Sequence, residues 1–360
     1  MSNPINPKAK VIVAMSGGVD SSVAALLLLR QGLRVLGATL DTGYGPGPEQ
    51  AARVCRALGI PHRVVDIRAD FENLAVADFV QSYLSGRTPN PCVACNERVK
   101  FPAFLPLLAE SGAEYFATGH YVRRDRLGSR YVLRQALDKA KDQSYFLYRL
   151  SQDILFRCLF PLGDLTKAEV RALAAEAGLP SAGQKDSYDV CFISSGDYRE
   201  LLRERAAGQL TPGEIADGTG RVLGFHQGLA NYTLGQRRGL KIALGYPAYV
   251  VGLDHAANRL TLGARDLLCQ REALLEEVNS QALAELTSPL SGQMKIRYKS
   301  PAASGEIRPE PGRAGLYRLS FCQPAWGMTP GQSAVCYQGD LLVLGGVIRE
   351  VLAANAPEHE

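Results

Sequence analysis

The sequence predicts an α/β protein with an N-terminal doubly wound parallel sheet, followed by two smaller β-rich modules. Three observations predict it. Short apolar runs alternate with helical stretches through the first 120 residues, residues 208–270 are rich in glycine and short apolar stretches, and residues 292–350 read as alternating strands. With 360 residues, 46% of them hydrophobic, the chain is long enough for two or three globular units with sizeable cores, which excludes a disordered or fibrous protein.

In order, strands are expected at residues 11–15, 34–40, 62–67 and 115–118, with helices at 19–31, 49–58 and 71–84 between them. Gly32 and Gly59 stand just past two of these helices, where a C-terminal cap favours a left-handed residue. Further helices are expected at about 95–108 and at 167–178, the latter bracketed by Pro161 and Gly163 before it and Pro180 after it. Later strands are expected at 294–299, 316–321 and 333–337. Residues 271–286, charged and rich in Ala and Leu, read as a helix or an irregular connection. The expected division is 1–195, 196–275 and 276–360, with no internal repeat or low-complexity tract.

Lys+Arg 40 against Asp+Glu 36 gives a net charge of +4, too slight for charge alone to announce a nucleic-acid binder, so any polyanion site must be local. The longest apolar run, residues 23–29, is far short of the ~20 residues that span a bilayer. Residues 1–10 carry no signal-peptide pattern, and a soluble cytoplasmic protein with no membrane partner is expected. Eight cysteines, at 55, 92, 95, 158, 191, 269, 322 and 336, are too dispersed for a disulfide scaffold and are expected to be mostly reduced thiols.

The strongest single motif is Ser16-Gly17-Gly18-Val19-Asp20-Ser21-Ser22, running from the first strand into a helix. Two glycines let backbone approach a ligand closely, and the amides of a helix N-terminus suit a phosphate. The sequence holds neither the Gly-Lys pair of a Walker A loop nor Gly-x-Gly-x-x-Gly, which removes support for an ordinary kinase, a GTPase or a dinucleotide dehydrogenase. A carboxylate in such a loop repels phosphate unless a cation intervenes, so Asp20 suggests that Mg²⁺ accompanies the nucleotide.

Thr88-Pro89-Asn90-Pro91-Cys92-Val93-Ala94-Cys95-Asn96 precedes the expected helix at 95–108. A cysteine at a helix start meets unpaired amides that favour the thiolate, so Cys95 is expected to be reactive. The same Cys-x-x-Cys is compatible with half of a zinc site or a redox pair, although no second pair completes a tetrad. Cys191 stands in Lys185-Asp186-Ser187-Tyr188-Asp189-Val190-Cys191-Phe192-Ile193, where an inert apolar thiol is the alternative.

The phosphate loop resembles the SGGxDS loop of the ATP-pyrophosphatase family. With TPNPCxxCN, ATGHY, KDQSYFL, FPLGDLTKAEVR, KDSYDVCFI, YTLGQRRGL and PGQSAVCY following in order, the chain resembles the MnmA family of bacterial tRNA-uridine 2-sulfurtransferases over nearly all its length. The resemblance implies ATP-dependent 2-thiolation of uridine 34 in tRNA with Glu, Gln and Lys acceptors. ATP and Mg²⁺ would be the cofactors, and a cysteine desulfurase or sulfur carrier protein the donor. It makes Cys95 the nucleophile and Cys191 the persulfide carrier. It places Ala14, Met15, Ser16, Gly17, Gly18, Val19, Asp20, Ser21, Leu40 and Gly119 at ATP, and Asn90, Pro91 and Cys92 against the target base. It assigns His120, Lys141, Asp142, Gln143, Arg297, Tyr298 and Gln332 to tRNA. Leu40 is followed by Asp41-Thr42-Gly43-Tyr44-Gly45, unlike the family's common continuation, and Cys92 stands where many members carry Asp.

Period-2 alternation in residues 294–299 puts Lys295, Arg297 and Lys299 on one face, a basic surface for phosphates, and Gln236-Arg237-Arg238-Gly239 offers a second basic loop. Two alternatives stand beside this reading. One is another ATP-pyrophosphatase ligase, which leaves Cys95, Cys191 and the β-rich third without purpose. The other is a non-enzymatic RNA-binding module with a metal at Cys92, Cys95 and Cys191, the disfavoured option.

Overall fold

The computed structural model describes residues 6, 8–45, 47–184, 190–193 and 196–352. Residues 185–189 of the motif around Cys191 and the expected unit boundary at 195 therefore lie outside the described residues.

The first sheet is built from β1 (Lys10–Ala14), β2 (Arg34–Asp41), β3 (His62–Asp66) and β4 (Tyr115–Ala117). Between them run α1 (Val19–Arg30), α2 (Glu49–Ala57), α3 (Arg68–Phe71), α4 (Ala77–Leu84), α5 (Pro91–Cys95) and α6 (Phe104–Ser111). A hairpin of β5 (Val122–Leu127) and β6 (Arg130–Gln135) follows, then α7 (Gln152–Arg157), β7 (Cys158–Leu159), α8 (Lys167–Glu176) and α9 (Tyr198–Ala206). The sheet order is β3-β2-β1-β4-β7, parallel throughout. Alternation along β1 explains the two layers: Val11 and Val13 pack with Val19, Val23 and Leu28 of α1, whereas Ile12 packs with Phe101, Phe104 and Phe116. The strand order reverses between β1 and β4, so the crevice at their carboxyl ends is the natural ligand site of this architecture.

The expected α/β sheet and the two β-rich parts after it are present. Strands β8 (Gly213–Asp217), β9 (Val222–His226), β10 (Tyr249–Asp254) and β11 (Arg259–Gly263) form a second sheet. The last comprises β12 (Cys269–Ser280), β13 (Leu290–Lys295), β14 (Ala303–Pro309), β15 (Tyr317–Trp326), β16 (Ser333–Gln338) and β17 (Leu341–Leu352). Because β12 pairs with both β15 and β17, these strands close on themselves as a barrel. Strand β12 occupies much of the stretch that read as a helix or irregular connection, and it runs across positions 275 and 276. Ala273, Leu274 and Leu275 are all buried there, because a strand paired on both edges, with three register shifts along it, does not keep a simple alternation.

The β5–β6 hairpin joins the barrel to the first sheet, since β6 pairs with β17 through Arg134 and Leu341. Asp340 accepts ion pairs from Arg134 (2.7 Å) and Arg123 (2.5 Å). Gln281 is fully buried at this seam: its Oε1 accepts from the Leu133 amide (3.1 Å), and its Nε2 donates to the Leu147 and Tyr148 carbonyls (3.1 and 3.2 Å). Among the described residues, no helix is long and apolar enough to cross a membrane. A Gln281→Ala chain, losing partners for three backbone groups, should be destabilised by about 2–4 kcal/mol in urea unfolding, because an unpaired buried group costs about 1–3 kcal/mol. A change below about 0.5 kcal/mol, the level of an ordinary surface substitution, would refute the seam's role.

Candidate active site

Beyond Ala14 the chain turns through Met15 to Gly18 before α1 begins. Gly17 has φ +82, and a Cβ there would lie 2.8 Å from the Ala51 amide nitrogen and 2.9 Å from Gln50 Cβ, so the loop rests on α2 in a conformation suited to glycine. The loop's hydroxyls close on it: Ser21 Oγ accepts from the Ser16 amide (3.2 Å), and the Ser21 and Ser22 hydroxyls donate to the Gly18 carbonyl (3.0 and 2.8 Å). Gly119, after β4, comes so near that a Cβ would sit 2.8 Å from Asp20 C and Ser21 N. The crevice opens into a cavity of about 360 Å³ whose lining includes Ala14, Ser16, Asp20, Ser21, Leu40, Lys100, Phe101, Gly119, His120 and Gln143. Its volume and a glycine-shaped cradle at a helix N-terminus suit a phosphate-bearing small ligand.

Asp20 has a cation partner within the chain. Its Oδ1 accepts from the Lys167 ammonium (2.7 Å) and the Tyr121 hydroxyl (2.8 Å). Lys167 opens α8 and is placed by a capping box, with Thr166 Oγ1 accepting from the Glu169 amide and the Glu169 carboxylate accepting from the Thr166 amide. Lys167 therefore offsets the Asp20 charge within the chain itself. The donor set still fits a magnesium ion that draws most of its ligands from phosphates and water, because Asp20 lines the cavity. Among the described residues no group of three or more His, Cys, Asp and Glu is arranged to hold a metal.

The cysteines lie beside this cavity. Asn90 precedes α5, Pro91 is its first residue and Cys92 its second, so Cys95 closes the short helix rather than opening one. A π-helical turn, Asn96–Lys100, follows. Cys95 is buried in an apolar cluster with Phe71, Val76, Phe79, Val99 and Phe192. Burial pushes its thiol up to about 11, against which the Lys100 ammonium is the main lowering influence. The expectation of a helix-end thiolate is corrected on both counts, position and protonation, because desolvation in the cluster outweighs the nearby charge. Cys92 opens to solvent, yet crowding by protein atoms raises its pKa as well, again opposed by Lys100. Cys191 is exposed in a turn, and its neighbour Phe192 anchors it with rings 5.2 Å from Phe79 and 5.9 Å from Phe71. Phe192 and Cys95 thus share one cluster, and charge on Cys191 is felt by Cys95, Cys92 and Lys100. His120 is pushed down to about 3, first by burial and then by Lys100, so its imidazole is neutral, with Nδ1 2.9 Å from the Thr118 hydroxyl.

Comparison with known proteins decides what this arrangement belongs to. Residues 9–195 match a family model described as a tRNA methyl transferase HUP domain, 199–264 one described as a tRNA methyl transferase PRC-barrel domain, and 270–348 an aminomethyltransferase beta-barrel domain. The chain is 45% identical to the tRNA-specific 2-thiouridylase MnmA of Moorella thermoacetica, over 94% of this chain and 99% of the relative. It is 43% identical to that of Pelotomaculum thermopropionicum (95% and 97% covered) and 45% to that of Thermosynechococcus vestitus (94% and 94%). The chain belongs to the tRNA-specific 2-thiouridylase MnmA family.

Several residues that the MnmA resemblance assigns to tRNA also hold the parts together. Gln332 donates to the Thr88 and Pro89 carbonyls (3.1 and 3.0 Å), tying the barrel to the segment carrying Asn90, Pro91 and Cys92. Asp142 is buried and accepts from the Ala136 amide (2.9 Å) and the Ser144 hydroxyl (2.8 Å), which fixes the loop bearing Lys141 and Gln143. The Gln143 side chain receives the Tyr121 amide (2.9 Å). Strand β13 stops at Lys295, and residues 296–300 form a turn in which Ser300 Oγ accepts from the Arg297 amide (3.2 Å). Lys295, Arg297 and Lys299 therefore do not share a strand face, correcting that expectation. Arg297 instead donates to the Gly327 carbonyl and Thr329 Oγ1 and lies over Trp326 (5.2 Å), while Tyr298 packs on Phe146 (4.4 Å). Arg237 and Arg238 are exposed.

Sequence reading missed Lys100 and Lys167 as site residues. The Thr166-x-x-Glu169 capping signature predicts where α8 starts but not that Lys167 faces Asp20, 147 positions away. Because Cys95 is protonated in the resting chain, iodoacetamide at pH 8 should alkylate it at least tenfold more slowly than in urea-unfolded chain, one pKa unit being about tenfold in thiolate. Equal rates, read from the Cys95 peptide by mass spectrometry, would contradict its burial.

Proposed function

We propose that this chain uses ATP to activate O2 of uridine 34 in a tRNA anticodon and replaces it with sulfur carried as a persulfide on Cys191. The observation that carries this reading is the meeting of a phosphate cradle with the thiol-bearing cluster: Leu40 and Tyr44 line the cavity and pack against the cluster that holds Cys95 and Phe192, the neighbour of Cys191. A ligase using ammonia or an amino acid has no need of the thiols, and a binding module has no need of the cradle.

In the reaction, uridine O2 attacks the α-phosphorus and pyrophosphate leaves, with the amides at the start of α1 holding the phosphates. Mg²⁺, with Asp20 as its protein ligand, would add charge neutralisation to the leaving pyrophosphate. The terminal persulfide sulfur on Cys191 then bonds to C2, and AMP departs with O2. Cys95 attacks Cys191 Sγ, breaking the sulfur–sulfur bond and leaving 2-thiouridine and a Cys95–Cys191 disulfide. In the alternative order, Cys95 first releases hydrosulfide, which attacks C2, and the same disulfide results. Two equivalents of an external thiol, or one dithiol, supply the two electrons that restore the pair and leave as a disulfide. Sulfur arrives from a cysteine desulfurase or a sulfur carrier protein.

Within this scheme residues 1–195 perform adenylation and sulfur transfer, and the two β-rich parts that follow hold the RNA. The exposed Arg237 and Arg238 supply charge for its backbone. The target base must leave its stack to reach the crevice. Family membership supports tRNAs with Glu, Gln and Lys acceptors and a cytoplasmic location.

The test is conversion of ATP to AMP and pyrophosphate. It should require tRNA, and Cys191→Ser should keep pyrophosphate release while forming no thionucleoside, because the change removes the sulfur carrier and leaves the cradle intact. Pyrophosphate formed without tRNA would favour the ligase, and none under any condition would favour the binding module.

A further inference from the structure

Among the described residues lining the cavity, Lys100 carries the only ammonium or guanidinium group. Its position follows from the π-helical turn at Asn96–Lys100, in which the Phe101 amide reaches back to the Asn96 carbonyl (3.3 Å). The wider turn brings the residue five positions on from Cys95 back over the same side of the helix, which an α-helical turn would not do. Lys100 thus stands one π-helical turn beyond Cys95 and also lines the cavity. One ammonium therefore faces two anions that the proposed reaction uses in succession, the phosphates of the nucleotide and the thiolate of Cys95.

Lys100 shares the cavity lining with His120, and its charge is coupled to those of Cys95 beside the π turn, Cys92 from α5 and Cys191 from its anchored segment. His120 is neutral and does not share the charge load. The two carboxylates lining the cavity have other partners, Asp20 in Lys167 and Asp41 in the Gly43 amide (2.9 Å) and Arg68 (3.9 Å). Lys100 is left to the phosphates and the thiols.

We propose that Lys100 is a positioning residue that couples the two halves of the reaction: its single charge both steadies nucleotide phosphate in the cavity and stabilises the Cys95 thiolate. The proposal rests on the reading of the cavity as an ATP site and of Cys95 as the attacking thiol. Its consequence is that one neutralising substitution weakens nucleotide binding and silences the thiol together, although the two ligands of the ammonium are chemically unrelated.

The experiment uses full-length wild type, Lys100→Met and Lys100→Arg, with two readouts. Isothermal titration with ATP and Mg²⁺ measures affinity, and mass spectrometry of the Cys95 peptide follows iodoacetamide alkylation against pH. Lys100→Met should bind ATP about tenfold more weakly and alkylate at Cys95 about tenfold more slowly at pH 9, with its profile displaced upward by about one unit. Lys100→Arg, which keeps the charge, should recover most of both. A purely structural role would lower the melting temperature without displacing the alkylation profile, and that result overturns the proposal. So does an unchanged profile or unchanged ATP affinity in Lys100→Met, or a Lys100→Arg chain as impaired as Lys100→Met. Wild type that binds no ATP would refute the nucleotide reading itself, an outcome distinguishable from wild-type binding that the variants leave unaltered.

Discussion

Backbone packed on backbone at Gly119 and the start of α1 is the constraint from which the rest of the site follows. The two segments meet where the strand order of the first sheet reverses, and at that distance position 119 cannot carry a side chain. Their closeness shapes the crevice at the ends of β1 and β4 and brings His120 to its edge. It also leaves Asp20 beside Tyr121 and in reach of Lys167, so that the loop's own negative charge is offset before any ligand arrives. The cradle is in this sense preorganised, which lowers the cost of fixing a triphosphate.

The barrel contributes by holding the cysteine segment. Gln332 grips the two carbonyls before Asn90, the Thr88 amide donates to the Pro330 carbonyl (2.9 Å), and Tyr145 donates to the Ser333 carbonyl (2.9 Å). Arg87 pairs with Glu276 (2.5 Å) and Arg149 with Glu277 (2.6 Å) across the same seam, and Arg149 also holds Glu97 (2.7 Å) on its own side. Glu277 takes φ +50, a strained conformation for a side-chain-bearing residue, at the irregular stretch of β12. An RNA seated on the barrel would thus act on a surface mechanically continuous with α5 and its thiols.

Much of this was legible in the sequence, and the failures have identifiable physical causes. Strands β1, β2 and β4 were readable because a sheet covered on both faces selects apolar runs, the largely exposed edge strand β3 through its Val64-Val65 pair, and α1 because its loop precedes it. The β5–β6 hairpin was not, since arginines occupy it; Arg123, Arg124 and Arg134 spend their donors on backbone carbonyls, Asp125 and Asp340 rather than on solvent. Strand β12 looked helical because Glu272, Glu276 and Glu277 interrupt its apolar residues, and only pairing with two neighbours explains it. Local helix electrostatics suggested an ionised Cys95, whereas the tertiary cluster around Phe192 decides its protonation. Interactions between distant residues, such as Asp20 with Lys167, leave no local trace at all.

The central claim is that the cradle and the thiols serve one reaction on one base. Its most direct measurement is nucleoside mass spectrometry of tRNA incubated with the full chain, ATP, Mg²⁺, cysteine and a cysteine desulfurase. The account predicts 2-thiouridine at position 34, formed only when ATP is present. Thionucleoside appearing without ATP, sulfur placed at another atom or position, or no thionucleoside with an active desulfurase would contradict it.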